Sequence, residues 1–242
     1  MVTYDLSPIV NTQSTHPVVE IKDLIYRYPS SPAPAVSVED LSIDSGEQIV
    51  ITGQSGCGKS TLLHLIAGLM DPTSGTIRVD GVCINSLRGS KRDRFRGQHI
   101  GMVFQTFQLL HGFTVIENVF AALMFSDLER AQHRKRALSL LEQLGINTPN
   151  ARIQDLSVGQ QQRVAVARAI ACSPRVVLAD EPTAALDPEF ANTAMDLLQD
   201  ACRSIGAALI CVTHDVSLIE RFDRHERLEA LSPVEGHVGS DS

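Results

Sequence analysis

The chain has 242 residues, 43% of them hydrophobic, which is enough for one substantial core, and its net charge of −7 excludes the basic excess expected of a nucleic-acid binder. Its five cysteines (Cys57, Cys83, Cys172, Cys202 and Cys211) are odd in number, widely spaced and free of C-x-x-C, which speaks against a disulfide framework or a zinc site. No run of 18 apolar residues occurs, and the opening MVTYDLSPIVNTQSTHPVV lacks the basic and apolar regions of a signal peptide, so a cytoplasmic location is expected.

Residues 1–16, rich in Ser, Thr and Pro, are expected to form a mobile tail. The alternation in VVEIKDLIYRY (18–28) predicts a strand, SSPAPA (30–35) a turn, and VSVEDLSID (36–44) a second short strand. Strand EQIVITG (47–53) runs into a Gly-rich turn, from which KSTLLHLIAGLM (59–70) begins a helix; this β-turn-α unit predicts a parallel sheet. GTIRVDG (75–81) and HIGMVFQ (99–105) are further strands, the second ending at a glutamine. From 114 to 144 the period becomes helical, with Ala137, Leu140, Leu141 and Leu144 on one face. Strands at 175–180 and 207–214 follow, with a helix from about 189 to 205 between them. Residues 107–172 thus form a helical stretch that interrupts an α/β core.

GQSGCGKST (53–61) matches G-x-x-x-x-G-K-[ST] in the context that gives the motif meaning, after an apolar strand and opening a helix. Its glycines (Gly53, Gly56 and Gly58) let the chain curl so that successive N–H groups, including those at Gln54, Ser55, Cys57 and Thr61, surround phosphate oxygens. Lys59 supplies a point charge to the β- and γ-phosphates, and Ser60 a hydroxyl to Mg²⁺. Cys57, at a helix N-terminus beside Lys59, is expected to carry a thiol of lowered pKa that ATP shields from modification.

VVLADEP (176–182) is an apolar strand ending in two carboxylates. Asp180 fits the acid that holds Mg²⁺ through a water, and Glu181 the base or positioner for a water attacking the γ-phosphate. His214 ends another apolar strand, where it would bond the γ-phosphate and help hold Glu181. Gln105 ends a third, within reach of Mg²⁺ or the attacking water. A different oddity lies at DLSVGQQQRVAVARA (155–169), where Ser157, Gly159 and three glutamines open a helix in the manner of an anion site.

Taken in order, Gly53–Thr61, Gln105, Leu156–Gln160, Asp180–Glu181, Ala185–Asp187 and His214 resemble the ATP-binding subunits of ABC transporters, over roughly residues 18–230. The resemblance implies an α/β fold: a P-loop NTPase, RecA-like core with an antiparallel β-subdomain and an inserted α-helical subdomain. One ATPase domain would span 17–231, with the helical subdomain at about 107–172 and a tail at 232–242. It also implies a task for the anion-like helix. Two subunits pack head-to-tail, and Ser157 with the N–H groups near Gly159 contacts ATP bound by the partner's phosphate loop.

Val158 departs from the family's usual glycine, and its side chain is expected to point away from phosphate, onto its own helix. Gln160 completes the signature, Tyr28 stands where the family stacks an aromatic on adenine, and Asp187 would help join the two sites. Ala184 replaces the usual Ser before ALD, and RFDRHERLEALSPVEGHV (221–238) only loosely follows the family's closing hairpin.

IGMVFQTFQLLHGFTVIENV (100–119) looks most like the exporter-associated branch with lipoprotein-releasing, macrolide-exporting and DevA-type glycolipid-exporting members. The implied partners are a second ATP-binding subunit and integral membrane permease subunits, with no nucleic acid. A groove within 106–125 would receive a short cytoplasmic helix of the permease, half of its side chains being plain core. The basic cluster KRDRFR (91–96) reads as a solvated face, with one side near anionic headgroups. Alternatives are the ATPase of an amino-acid importer, a soluble ABC ATPase of repair or translation, and a non-hydrolytic scaffold. The retained Lys59, Asp180, Glu181 and His214 argue against the last.

Overall fold

Two sheets of different kind frame the molecule, as a computed structural model describing residues 16–31 and 33–228 shows. The expected tails and the end of the C-terminal region, from residue 229 on, lie outside the described residues. Strands β1 (Val19–Tyr26), β2 (Val36–Ile43), β4 (Ser74–Val79) and β5 (Val82–Cys83) form an antiparallel sheet in the order β2-β1-β4-β5. Strands β3 (Gln48–Thr52), β6 (Ile100–Val103), β7 (Val176–Asp180), β8 (Ala208–Thr213) and β9 (Arg224–Arg227) form a parallel sheet in the order β6-β7-β8-β3-β9.

The central strands of the parallel sheet are apolar without alternation because both faces are covered. Val50, Val177, Ala179, Leu209 and Cys211 face one core, shared with the helices α3 (Val115–Leu123), α4 (Arg130–Gln143), α5 (Val158–Ile170) and α6 (Pro188–Ile205). Ile49, Ile51, Val176, Leu178, Ile210 and Val212 face the other, built with α1 (Lys59–Ile66) and the antiparallel sheet. Helices α3, α4 and α5 all lie between β6 and β7, so the α/β order is interrupted where the sequence predicts it.

Three local expectations change. The helical period at 114–144 is two helices, because the chain leaves α3 after Leu123 and resumes helix only at Arg130. Thr114 starts α3 with a capping box, its hydroxyl accepting from the Glu117 N–H while the Glu117 carboxylate accepts from the Thr114 N–H. Residues 91–96 belong to a helix, α2 (Ser90–His99), and three of their four cations have carboxylate partners. Arg92 pairs with Asp71 at 2.8 Å, Arg96 with Asp93 at 2.6 Å and Arg94 with Asp127 at 3.3 Å, which lowers the charge this face has for headgroups. The polar run RHER, not expected as a strand, is β9: its backbone pairs with β3 while its side chains alternate between half-buried and exposed.

Candidate functional site

The turn after β3 opens into a cavity of about 960 Å³. Gly58 has φ 95°, and a Cβ there would lie 2.3 Å from the Ala35 carbonyl, so this position admits only glycine. The Lys59 ammonium, almost wholly buried, donates to the carbonyls of Gly53 (2.9 Å) and Gln54 (3.1 Å), which holds the charge at the floor of the turn. Gly53, Gln54, Ser55, Gly56, Ser60 and Thr61 line the same cavity. Tyr28 reaches it from the antiparallel sheet: its hydroxyl lies 2.8 Å from that of Thr61, and its ring meets Tyr26 edge-on at 5.0 Å.

Cys57 behaves differently from expectation. Only 3% exposed, it is packed into the core with its sulfur turned under Gly53, and its N–H donates to the Gln54 carbonyl. A thiol enclosed in this way offers a modifying reagent nothing to attack, so nucleotide protection has no free thiol to act on.

Opposite the turn, parallel strands bring their C-terminal ends to one edge. The Ser60 hydroxyl donates to Asp180 at 3.0 Å, placing two hard oxygen donors together. Burial pushes the Asp180 carboxyl above its ordinary range, against the pull of the Ser60 hydrogen bond; Glu181 pushes the same way as burial, whereas His64 and Lys59 oppose it. A cation at this point would favour the ionised carboxylate. Among the described residues no three His, Cys, Asp or Glu side chains cluster as a metal cage, so an ion here would take its other ligands from phosphate and water, as Mg²⁺ does.

Glu181 adopts φ 45°, a left-handed conformation uncommon outside glycine, and its N–H is tied to the Val212 carbonyl at 2.9 Å. Both of its carboxylate oxygens are engaged. His214 Nδ1 lies 2.7 Å from one, and the hydroxyl of Thr213 donates to the other at 2.9 Å. The carboxylate is aimed, and the imidazole stays largely exposed at the cavity wall. Gln105 also lines this wall, two residues beyond the end of β6.

The helix that begins at Ser157 opens elsewhere, onto a separate cavity of about 490 Å³ with Ser157, Val158, Gly159, Leu186, Asp187 and Phe190 among its walls. None of these residues lines the phosphate-loop cavity. Ser157 and Gln160 form a capping box, the serine hydroxyl accepting from the Gln160 N–H and the Gln160 side-chain oxygen accepting from the Ser157 N–H. The other two glutamines also serve their own chain: Gln161 donates to the carbonyls of Ile153 and Leu156, and buried Gln162 donates to that of Pro182. The amide trio therefore braces the helix start, and Gln160 turns inward to the cap. What the first turn leaves for an anion are the N–H groups of Val158 and Gly159 and the proton of the Ser157 hydroxyl.

A Cβ on Gly159 would meet nothing within 4 Å, so packing inside the chain does not explain this glycine. Val158 is 48% exposed, and its wall is shared with Leu186 and Phe190 instead of its own helix alone. Asp187 caps α6 by position without a side-chain cap bond and belongs to this second cavity, not to the first.

Three contributors escaped the sequence reading. Thr213 is fully buried and identifiable only through its bond to Glu181. His225 and Arg227 lie two residues apart on β9 and line the phosphate-loop cavity, His225 Nε2 lying 2.6 Å from the Thr52 hydroxyl. Their only sequence signal was the spacing of two in a short polar run.

Comparison with known proteins agrees with this fold. The family model "ABC transporter" matches residues 37–184. A lipoprotein-releasing system ATP-binding protein LolD of Psychrobacter arcticus is 42% identical over 187 residues, covering 76% of this chain and 83% of the relative. The LolD of Legionella pneumophila is 42% identical over 186 residues, covering 76% and 82%. Among solved structures, the dimeric post-hydrolysis state of the ATP-binding cassette MJ0796, bound to ADP and Pi, superposes with a TM-score of 0.77 at 35% identity, covering 88% of this chain and 97% of that one.

Proposed function

Because the chain belongs to the ABC transporter family as an ATP-binding, ATP-hydrolysing subunit, we propose that it drives a permease of the lipoprotein-releasing type, with each ATP held between two copies packed head-to-tail. One observation carries the composite site. The phosphate-loop cavity and the Ser157–Gly159 cavity share no residue, which supports a nucleotide held by the first cavity of one chain and the second cavity of another. The unused N–H groups at Val158 and Gly159, and the open space in front of Gly159, suit the phosphate of a neighbour's ATP.

In this reading Lys59 and the N–H groups of 54–61 hold the phosphates, Tyr28 the adenine, and Asp187 helps join the two nucleotide sites of the dimer. Ser60, with Gln105 and with Asp180 through a water, would hold Mg²⁺, which would offset the charge of the phosphates. Glu181, aimed by Thr213 and His214, accepts a proton from the attacking water. The ATPase domain spans 17–231, with its helical subdomain at about 107–172. No helix among the described residues is long and apolar enough to cross a membrane, so the membrane passage is assigned to the permease. Leu110, Phe113, Met124, Phe125 and Leu128, exposed on the helical region, are the side chains offered to it, at the inner face of the membrane. The lipoprotein-releasing relatives favour this system over an amino-acid importer or a soluble ABC ATPase.

Complementation tests the shared site. Ser157→Arg blocks the trans contact and Lys59→Ala the phosphate loop, so each homodimer should be inactive. A mixed dimer has one site with both defects and one with neither, and mixing should restore ATPase activity. Mixtures as inactive as the parents would refute independent composite sites.

The exposed Val158 side chain, on the wall toward Phe190, leaves its own N–H free for phosphate. Val158→Gly should therefore keep turnover within about threefold of the parent, at a stability cost below ~0.5 kcal/mol, because residue 158 is the first of the helix and valine is itself a weak helix former. A tenfold rise in ATPase rate would instead mark Val158 as a brake on closure.

A further inference from the structure

Between β6 and α3 the chain passes through two successive non-glycine residues in the left-handed region, Phe107 at φ 59° and Gln108 at φ 47°. This conformation is disfavoured for L-residues, and two in a row need support from outside the loop. The support comes from α5. Arg168 donates from its two terminal nitrogens to the carbonyls of these two residues, at 2.7 Å each. It forms no ion pair among the described residues, so these two carbonyls are what compensates its half-buried charge. The far end of the same loop is pinned by fully buried Asn118, which accepts from the Leu110 N–H at 2.8 Å and donates to the Leu110 and Thr114 carbonyls.

Gln105 stands two residues before this clamp, its side chain exposed on the wall of the phosphate-loop cavity. Arg168 lies near the C-terminal end of the helix that Ser157 caps, about 16 Å of helix from the anion-binding turn. We propose that Arg168 is the positioning residue for Gln105: its two hydrogen bonds hold the left-handed pair, and through them a displacement of α5 moves Gln105 in the phosphate cavity. One rigid helix then connects the surface that meets the partner's nucleotide to a ligand of this chain's own nucleotide site. The inference rests on the reading of Gln105 as a site residue.

The test uses the full chain and compares Gln105→Ala, Arg168→Gln, Arg168→Lys, Gln108→Gly and the doubles Arg168→Gln/Gln105→Ala and Arg168→Gln/Gln108→Gly. The readouts are kcat, the Mg²⁺ concentration for half-maximal rate, affinity for a fluorescent ATP analogue, and the thermal midpoint. Misplacing a liganding group by about an ångström costs a factor of roughly ten to a hundred in rate. Arg168→Gln should therefore lower kcat about tenfold or more and raise the Mg²⁺ requirement, as Gln105→Ala does, with nucleotide affinity unchanged. Adding Gln105→Ala to Arg168→Gln should bring no further loss, because nothing remains to be positioned. Gln108→Gly should recover several-fold of the Arg168→Gln loss, since glycine enters the left-handed region without help. Arg168→Lys, which keeps the charge but not the fork, should be intermediate, and it carries the same comparison if Arg168→Gln does not fold.

Parent-like kcat in Arg168→Gln with an impaired Gln105→Ala would overturn the clamp alone, as would losses that multiply in the double. A parent-like rate and Mg²⁺ requirement in Gln105→Ala would overturn the role of Gln105 itself, and the functional purpose of the clamp with it.

Discussion

Glu181→Gln is expected to lower ATP turnover by at least about 100-fold while leaving ATP binding intact, the loss typical of removing a general base. The amide has the shape of the carboxylate it replaces. Its oxygen can still accept from Thr213, and its nitrogen can donate to a neutral His214, so the contacts at 2.9 and 2.7 Å have counterparts in the variant. The left-handed backbone at residue 181 and its bond to Val212 stay as they are. What disappears is the acceptor for the water's proton. Binding without hydrolysis should then accumulate the closed form, visible as an ATP-dependent dimer in size-exclusion chromatography. Turnover near the parent rate would remove Glu181 from the role of base and leave His214 as the group to test next.

Lys59→Ala should act on the other side of the cycle, by weakening ATP binding itself. A charge-assisted hydrogen bond is worth ~1.5–3 kcal/mol, so losing the ammonium at the phosphates should raise the Kd by about 10- to 150-fold. Burial matters to the size of the effect: Lys59 is 8% exposed, and water takes the place of its charge poorly there. The substitution also removes the bonds to the Gly53 and Gln54 carbonyls, so a thermal midpoint belongs beside the titration. The two variants should separate cleanly, one binding without turnover and one hardly binding. An unchanged Kd in folded Lys59→Ala would contradict the assignment of the phosphate loop.

The phosphate loop was legible from residues 48–61 because its chemistry is local. Gly58 must be glycine for its φ and its approach to Ala35, and Lys59 lies in the same turn. Gln105, Asp180, Glu181 and His214 were legible for a different reason. Each ends or follows an apolar run, and parallel strands deliver such ends to one edge of the sheet. Where a side chain faced was another matter. Cys57, expected beside the phosphates, packs into the core under Gly53. The arginines of 91–96, read as part of a solvated face with one side near headgroups, pair with Asp71, Asp93 and Asp127, two of them remote in sequence. The polar RHER run escaped because strand prediction looks for buried residues, and β9 is an edge strand held by backbone pairing to β3.

Sequence alone determined the β-turn-α phosphate site, the strand-end acids and the anion-like start of α5, since each depends on conformations and chemistry within a few residues. Only the tertiary structure decided that the three glutamines after Gly159 brace their own chain and that Thr213 and His214 together aim Glu181. It also decided that the Ser157–Gly159 turn lines a cavity of its own, which shares no residue with that of the phosphate loop. Those facts are distances between side chains on separate elements. Packing of the two cores sets them, and no spacing along the chain encodes them in readable form.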